Sequence, residues 1–326
     1  MAGRADRTAP VGDRPVDEGR PEGGGHCGHD HDRIRAPAQL TGVGANADAD
    51  HRLRELARAA RMVFFAGLPG TGKSFFVHRL AHLCHAAGRT VHLLQWDRVR
   101  PVFEASPAGR RYPLRDGVTH PVIRKAAGAW SRQALARWAP AHGDPAHLLV
   151  GEAPLVGGRF IELARRADDR AEPWLDADAC QFVIPVPAPD VRRFLEAERA
   201  RRMTRAQHVH EREDAPSNVV RQLWDEMRRA ARSLGILTAK VEHSPGIYDP
   251  SLYEAVYERV LKHRHRQVLF VQHLLGSDAV SVHAFAFAPH HLIPDTEEAA
   301  AHIRGVEERF PDESALEAEM NDWFLT

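Results

Sequence analysis

Lysine is scarce in this chain: of its 44 basic residues only Lys73, Lys125, Lys240 and Lys262 are lysines, and the rest are arginines. Cysteine is scarce as well. The three present, Cys27, Cys84 and Cys180, are odd in number and widely spaced, which argues against a disulfide framework and for a reducing compartment. Long apolar runs are missing too. The longest, such as the stretch VLFVQHLL at 268–275, fall far short of the roughly 20 residues that cross a bilayer. With no apolar segment at the N-terminus either, neither secretion nor a membrane partner is expected, and the cytoplasm is the expected compartment. Net charge is absent, 44 basic residues balancing 44 acidic ones, so nothing in the whole-chain balance points to nucleic acid.

Large apolar residues are almost absent from residues 1–48, which are rich in Gly, Pro, Asp, Arg and Ala. Such a segment buries too little surface to offset the entropy of ordering, and it is expected to be a disordered tail. Its stretch GGGHCGHDHD sets His26, Cys27, His29 and His31 close together, either as a chelating cluster or as a polar tail that happens to carry histidines. From residue 49 the pattern alternates between helix and strand periods, which predicts a parallel sheet covered by helices. Strands are predicted at MVFFA (62–66), TVHLLQW (90–96), AHLLVG (146–151) and CQFVIPV (180–186), with a fifth at GILTAKV or RQVLFVQ. Helices are predicted from Ser217 and from a capping box of Ser251 with Glu254. Residues 289–326 hold two amphipathic segments, after Asp295 and after Pro311, expected as a helical extension packed on the 49–288 body.

The stretch GLPGTGKS, Gly67 to Ser74, matches G-x-x-x-x-G-K-[ST] in full and sits between a predicted strand and a predicted helix. Glycines let the backbone turn with its N–H groups inward at a helix N-terminus, where the dipole favours anions. Gly67, Gly70, Thr71, Gly72, Lys73, Ser74 and Phe75 are therefore the expected triphosphate contacts, with Lys73 at the β- and γ-phosphates and the Ser74 hydroxyl on Mg2+.

With this loop the chain resembles the P-loop NTPases, and within them the small-molecule and nucleotide kinase branch, over roughly residues 60–215. Three further features carry the resemblance: the acid in LLQWDRVRPVFE, the third strand ending in LLVGE, and FVIPVPAPDVRRFLEAERARRMTR, which looks like a strand, a proline turn and an arginine-laden helix leading into a lid. The resemblance implies an α/β three-layer sandwich with a mostly parallel sheet, a lid at about 189–216, ATP and Mg2+ as cofactors, and phosphoryl transfer to a small-molecule acceptor. It implies that Asp97 orients the acceptor, though a cap on the following helix is the other reading of that residue. Glu152, standing where many relatives have Asp, is implied to face the nucleotide and hold Mg2+ with Ser74, or else to cap the segment LVGGRFIELARR. Arg199 and Arg202 are the lid arginines picked to stabilise the moving phosphoryl charge, against the alternative of a solvated helix face. Trp96, Arg98, Arg100, Phe103 and Arg124 are candidate acceptor-pocket residues, the aromatics being otherwise core.

A second reading comes from the histidines of the tail, which resemble those of the hydrogenase and urease maturation GTPases, nucleotide switches that deliver a metal. Guanine specificity there rests on an N-K-x-D-like turn, and the stretch TAKVE at 238–242 misses it at Ala239 and Glu242. A polynucleotide-processing role through the arginine helix is disfavoured by the neutral charge and the lack of interleaved aromatics.

Overall fold

A computed structural model describes residues 43–204, 217–237, 247–273 and 285–326. Six parallel strands form one sheet: β1 (Met62–Ala66), β2 (Thr90–Gln95), β3 (His147–Ala153), β4 (Cys180–Pro187), β5 (Arg266–Val271) and β6 (His290–His291), in the spatial order β5-β4-β1-β3-β2-β6. The helices among the described residues are α1 (Val43–Ala59), α2 (Lys73–Ala86), α3 (Trp96–Ala105), α4 (Pro121–Ala141), α5 (Glu172–Leu175), α6 (Pro189–Thr204), α7 (Ser217–Ser233), α8 (Pro250–Val260), α9 (Thr296–Arg309) and α10 (Glu313–Asn321). No described helix is long and apolar enough to cross a membrane.

Apolar residues run almost unbroken along the central strands because both faces of the sheet are covered, and the period of two sorts them. Met62, Phe64 and Ala66 of β1 join Leu94, Leu149 and Phe182 in one core, with residues of α4, α7, α8, α9 and α10. Val63 and Phe65 join Leu93, Val150 and Val183 in the other, with α1 and α2. The result is a helix-sheet-helix arrangement. The neighbours of β1 are β3 and β4, which the chain reaches in opposite directions across the sheet, so strand order reverses at β1. In open α/β sheets that reversal opens a crevice beyond the carboxyl ends of the strands.

Several local expectations shift by a few residues. Trp96 opens α3 instead of ending β2. The fifth strand is the Arg266 segment, and most of the alternative, residues 238–241, lies outside the described residues. The cap of α8 is Asp249, which accepts from the N–H groups of Ser251 and Leu252, because Pro250 fills the first helical position and moves the start upstream of the Ser251 box. A full capping box stands at Asp295 and Glu298 of α9. Val43, within the segment expected to be a tail, already belongs to α1.

The segment after β3 makes two 3-10 turns, Val156–Gly158 and Ile161–Leu163, where a helix was expected. Beneath it lies an ion network. Arg264, fully buried at its side chain, forks onto Glu172 at 2.8 and 3.0 Å and donates to the carbonyls of Leu163 and Arg165, while Arg132 grips Asp169 and Glu172. Burial works to raise the Glu172 carboxyl from its ordinary 4.5, but the hydrogen bonds from Arg264 and then Arg132 override it and hold it at about 2. A carboxyl depressed in the folded state stabilises the fold above its unfolded value and loses that contribution as pH falls toward the folded one. Stability is therefore expected to drop between about pH 5 and pH 2. Urea titrations across that range should show a shallower acid limb in Glu172→Gln, which starts lower at neutral pH.

Candidate active site

Loop 67–72 joins the C-terminal end of β1 to the first residue of α2. Gly72 holds φ 88° and Gly70 φ 79°, in the left-handed region that favours glycine. Gly67 is required by close approach, since a Cβ there would fall 2.2 Å from the Tyr253 hydroxyl and 2.9 Å from Thr71 Oγ1. The Thr71 hydroxyl donates to the Leu68 carbonyl at 2.9 Å and Lys73 Nζ to the same oxygen at 2.8 Å, which ties the turn to itself. The first helical bond of α2 runs from the Phe76 N–H to the Gly72 carbonyl, so the N–H groups of Lys73, Ser74 and Phe75, which open the helix, have no carbonyl within it to donate to. Those donors converge at the positive end of a 14-residue helix with no side-chain cap.

The side chains around this turn come from four segments. Lys73 Nζ lies 3.4 Å from Glu152 Oε1, and the Ser74 hydroxyl donates to Glu152 Oε2 at 3.2 Å. Glu152 is next to last in β3 and pairs in register with Phe65 of β1 and Gln95 of β2, so it reaches the crevice from the middle of the sheet. No helix follows for it to cap. Burial drives the Lys73 ammonium down from its ordinary value, with Glu152 acting against that shift. Burial likewise pushes the Glu152 carboxyl up, opposed first by Lys73 and reinforced by Asp97.

Asp97 and Arg199 both act electrostatically on Lys73 and on Glu152. Asp97 is the second residue of α3, whose N-cap is Gln95, and so is not a cap. Arg199 comes from α6, the helix expected to lead the lid. That helix lies over the loop, since a Cβ at Gly70 would meet Glu196 at 3.2 Å and one at Gly72 would meet Leu195 at 3.9 Å. Arg202 continues α6, but its side chain, the rest of the expected lid from 205 to 216 and the stretch TAKVE lie outside the described residues. Phe75 is half-buried, edge-on to Phe76 at 5.4 Å, so its side chain serves packing while its N–H stays in the ring of donors.

Among the suggested acceptor-pocket residues, Trp96 and Phe103 are core, packed on Phe160 and Trp130. Arg100 pairs with Glu104 at 2.8 Å. Arg124 donates to the Gly157 carbonyl and forms part of a cluster that sequence reasoning missed, with Arg159 and Glu226. Arg159 and Glu226 are 6% and 8% exposed, and among the described residues neither Glu226 Oε2 nor Arg124 Nε has a hydrogen-bond partner. Burial and then Arg159 lower the Arg124 guanidinium to about 10, while burial lowers Arg159, opposed by Glu226 and Asp97. Gly157 and Gly158, adjacent and both at positive φ, were the only sequence sign of this turn, and a Cβ on Gly157 would lie 2.6 Å from both Arg159 Nη1 and Glu226 Oε2.

No family model, curated protein or solved structure matches this chain. The donor set fits a triphosphate with its metal: the N–H groups that open α2 and an ammonium for phosphate oxygens, and a hydroxyl beside a carboxylate, hard oxygen ligands of the kind Mg2+ takes.

Proposed function

We propose that the protein is an ATP-binding phosphotransferase of the P-loop type that acts on a small polar acceptor. The observation that carries the reading is the meeting of the buried Lys73 and Glu152 with Ser74 at the N-terminus of α2, behind a glycine turn and at a point where strand order reverses. The backbone of Gly67 to Ser74 cradles the phosphates, and Lys73 leaves its contacts with the Leu68 carbonyl and Glu152 for the β- and γ-oxygens. Ser74 and Glu152 are the residues that would hold Mg2+, which would supply charge neutralisation to the phosphates when bound. Asp97 is within electrostatic reach of Lys73 and Glu152, and it serves to align the acceptor hydroxyl and take its proton. Phosphoryl transfer needs positioning and positive charge around the migrating group, and Arg199 on α6 supplies the latter from above the loop.

Asp97 also faces the Arg159 cluster. The buried Arg159 and the half-buried Arg124, whose Nε has no partner among the described residues, favour an acceptor that carries a carboxylate or phosphate near its reacting hydroxyl. The metal-delivery GTPase reading has less support, since its guanine-recognition turn is not matched in the sequence. Calorimetric titration with ATP and with GTP, each with Mg2+, tests the proposal. ATP-selective binding, followed by transfer of the γ-phosphoryl to an anionic acceptor in a screen, is the expected result. GTP-selective binding, or no nucleotide binding, would overturn it.

A further inference from the structure

A second group of chemically competent side chains stands well away from the glycine loop. His92 is the third residue of β2, His147 the first of β3 and His142 the residue that ends α4. His147 precedes Glu152 by five positions, about 16 Å along an extended strand. One nitrogen from each of the three rings can be chosen so that all lie within 4.8 Å of one another, and His92 Nε2 is 3.1 Å from His147 Nδ1. The His92 and His142 rings meet at 4.5 Å and those of His142 and His147 at 4.8 Å, both edge to face, so the rings converge without stacking flat.

Packing alone does not require three imidazoles here. His92 is 5% exposed on a strand whose other buried members are aliphatic, a position any of Val, Ile or Leu would fill without burying ring nitrogens. His142 Nδ1 lies 3.0 Å from the Trp138 carbonyl, which takes its N–H and leaves Nε2 bare, the way metal-bound imidazoles are fixed by their outer shell. Ligands at 2.0–2.1 Å from a tetrahedral ion stand about 3.3 Å apart, close to the His92 and His147 separation, and a His142 nitrogen lies within 4.8 Å of both. His290 of β6 stacks on the His92 ring at 5.0 Å and covers it from the sheet edge.

We propose that His92, His142 and His147 form a binding site for a divalent transition-metal ion of the zinc class. An all-imidazole set suits zinc, nickel, copper or cobalt and not magnesium or calcium, so this site is chemically distinct from the one at Ser74 and Glu152. Binding ties the end of α4 to the starts of β2 and β3. It does not depend on the nucleotide reading.

The test uses the full chain with His26, Cys27, His29 and His31 changed to alanine, so that the histidine-rich tail cannot supply the signal. Co2+ is titrated as the probe, with Zn2+ in competition. One Co2+ per chain is expected, with the visible absorption of a four-coordinate site of three imidazoles and a solvent ligand that Zn2+ abolishes. His147→Gln and His142→Gln, made separately, should each weaken binding by more than about 100-fold, the upper end of what losing even an outer-shell partner costs. Zn2+ should also raise the unfolding temperature of the parent and leave that of His147→Gln unmoved, a readout that requires the variant to be folded. Absence of Co2+ uptake by the tail-substituted chain overturns the proposal, as does uptake undiminished in both variants. Should one variant fail to fold, the other decides.

Discussion

Replacing Lys73 with methionine is expected to lower Mg-ATP-dependent phosphoryl transfer by roughly 10²- to 10³-fold, the scale on which loss of one preorganised charge donor acts. The size follows from the setting. Lys73 is 4% exposed and its ammonium already faces Glu152 and the Leu68 carbonyl, so it is desolvated before any phosphate arrives and acts in a medium where charge is poorly screened. Steady-state transfer or hydrolysis of radiolabelled ATP measures it, with circular dichroism as the check on folding. A variant turning over at the parent rate would remove Lys73 from the mechanism. Asp97→Asn is the companion. It should retain ATP affinity while losing transfer, because Asp97 is assigned to the acceptor, and a variant that lost both would move Asp97 to the nucleotide.

The largest effect on stability is expected at a different lysine. Lys125 Nζ lies 2.9 Å from Glu162 and 2.6 Å from Glu319 of α10, with Lys125 and Glu162 almost wholly buried. The Glu162 carboxylate is pressed against the backbone of α4, so closely that a Cβ on Gly128 would fall 1.7 Å from its Oε2. Lys125→Met fills the same volume and leaves that carboxylate in the core without its cation. Breaking a buried pair from one side typically costs about 3–5 kcal/mol, because the remaining charge has lost both water and partner. Urea unfolding should show a loss of that order. Adding Glu162→Leu should recover part of it, since removing both charges relieves the penalty. A single variant within about 0.5 kcal/mol of the parent would mean that water reaches Glu162.

Two of the four lysines thus have roles that became visible by different routes. Lys73 was legible because its neighbours in sequence are its neighbours in space: a glycine-rich turn, its lysine and the helix behind it form one local unit. Strand positions were legible for a similar reason, since a sheet covered on both faces requires near-continuous apolar runs. The 3-10 turns after β3 were not. The stretch LVGGRFIELARR carries helix-forming residues, but positive φ at Leu155, Gly157, Gly158 and Phe160 breaks the path, and Met320 of α10 packs so close to Gly158 that a Cβ there would meet its sulfur at 2.6 Å. Tertiary packing outweighs helix propensity at such a place. His290 and His291 were missed as a strand because two residues show no period, and only the ladder with β2 defines them.

The sequence by itself determined the glycine loop with Lys73 and Ser74, the main strands, and the placing of Asp97, Glu152 and Arg199 near strand ends and on the arginine helix. Those are local facts, carried by spacing within some twenty residues. Only the tertiary structure decided that Glu152 meets both Lys73 and Ser74, that Arg124, Arg159 and Glu226 meet around Gly157, and that His92, His142 and His147 converge. Each of those meetings brings in at least one residue dozens of positions from the others, through a strand order that periodicity does not encode and that is set by which helices can cover which face of the sheet.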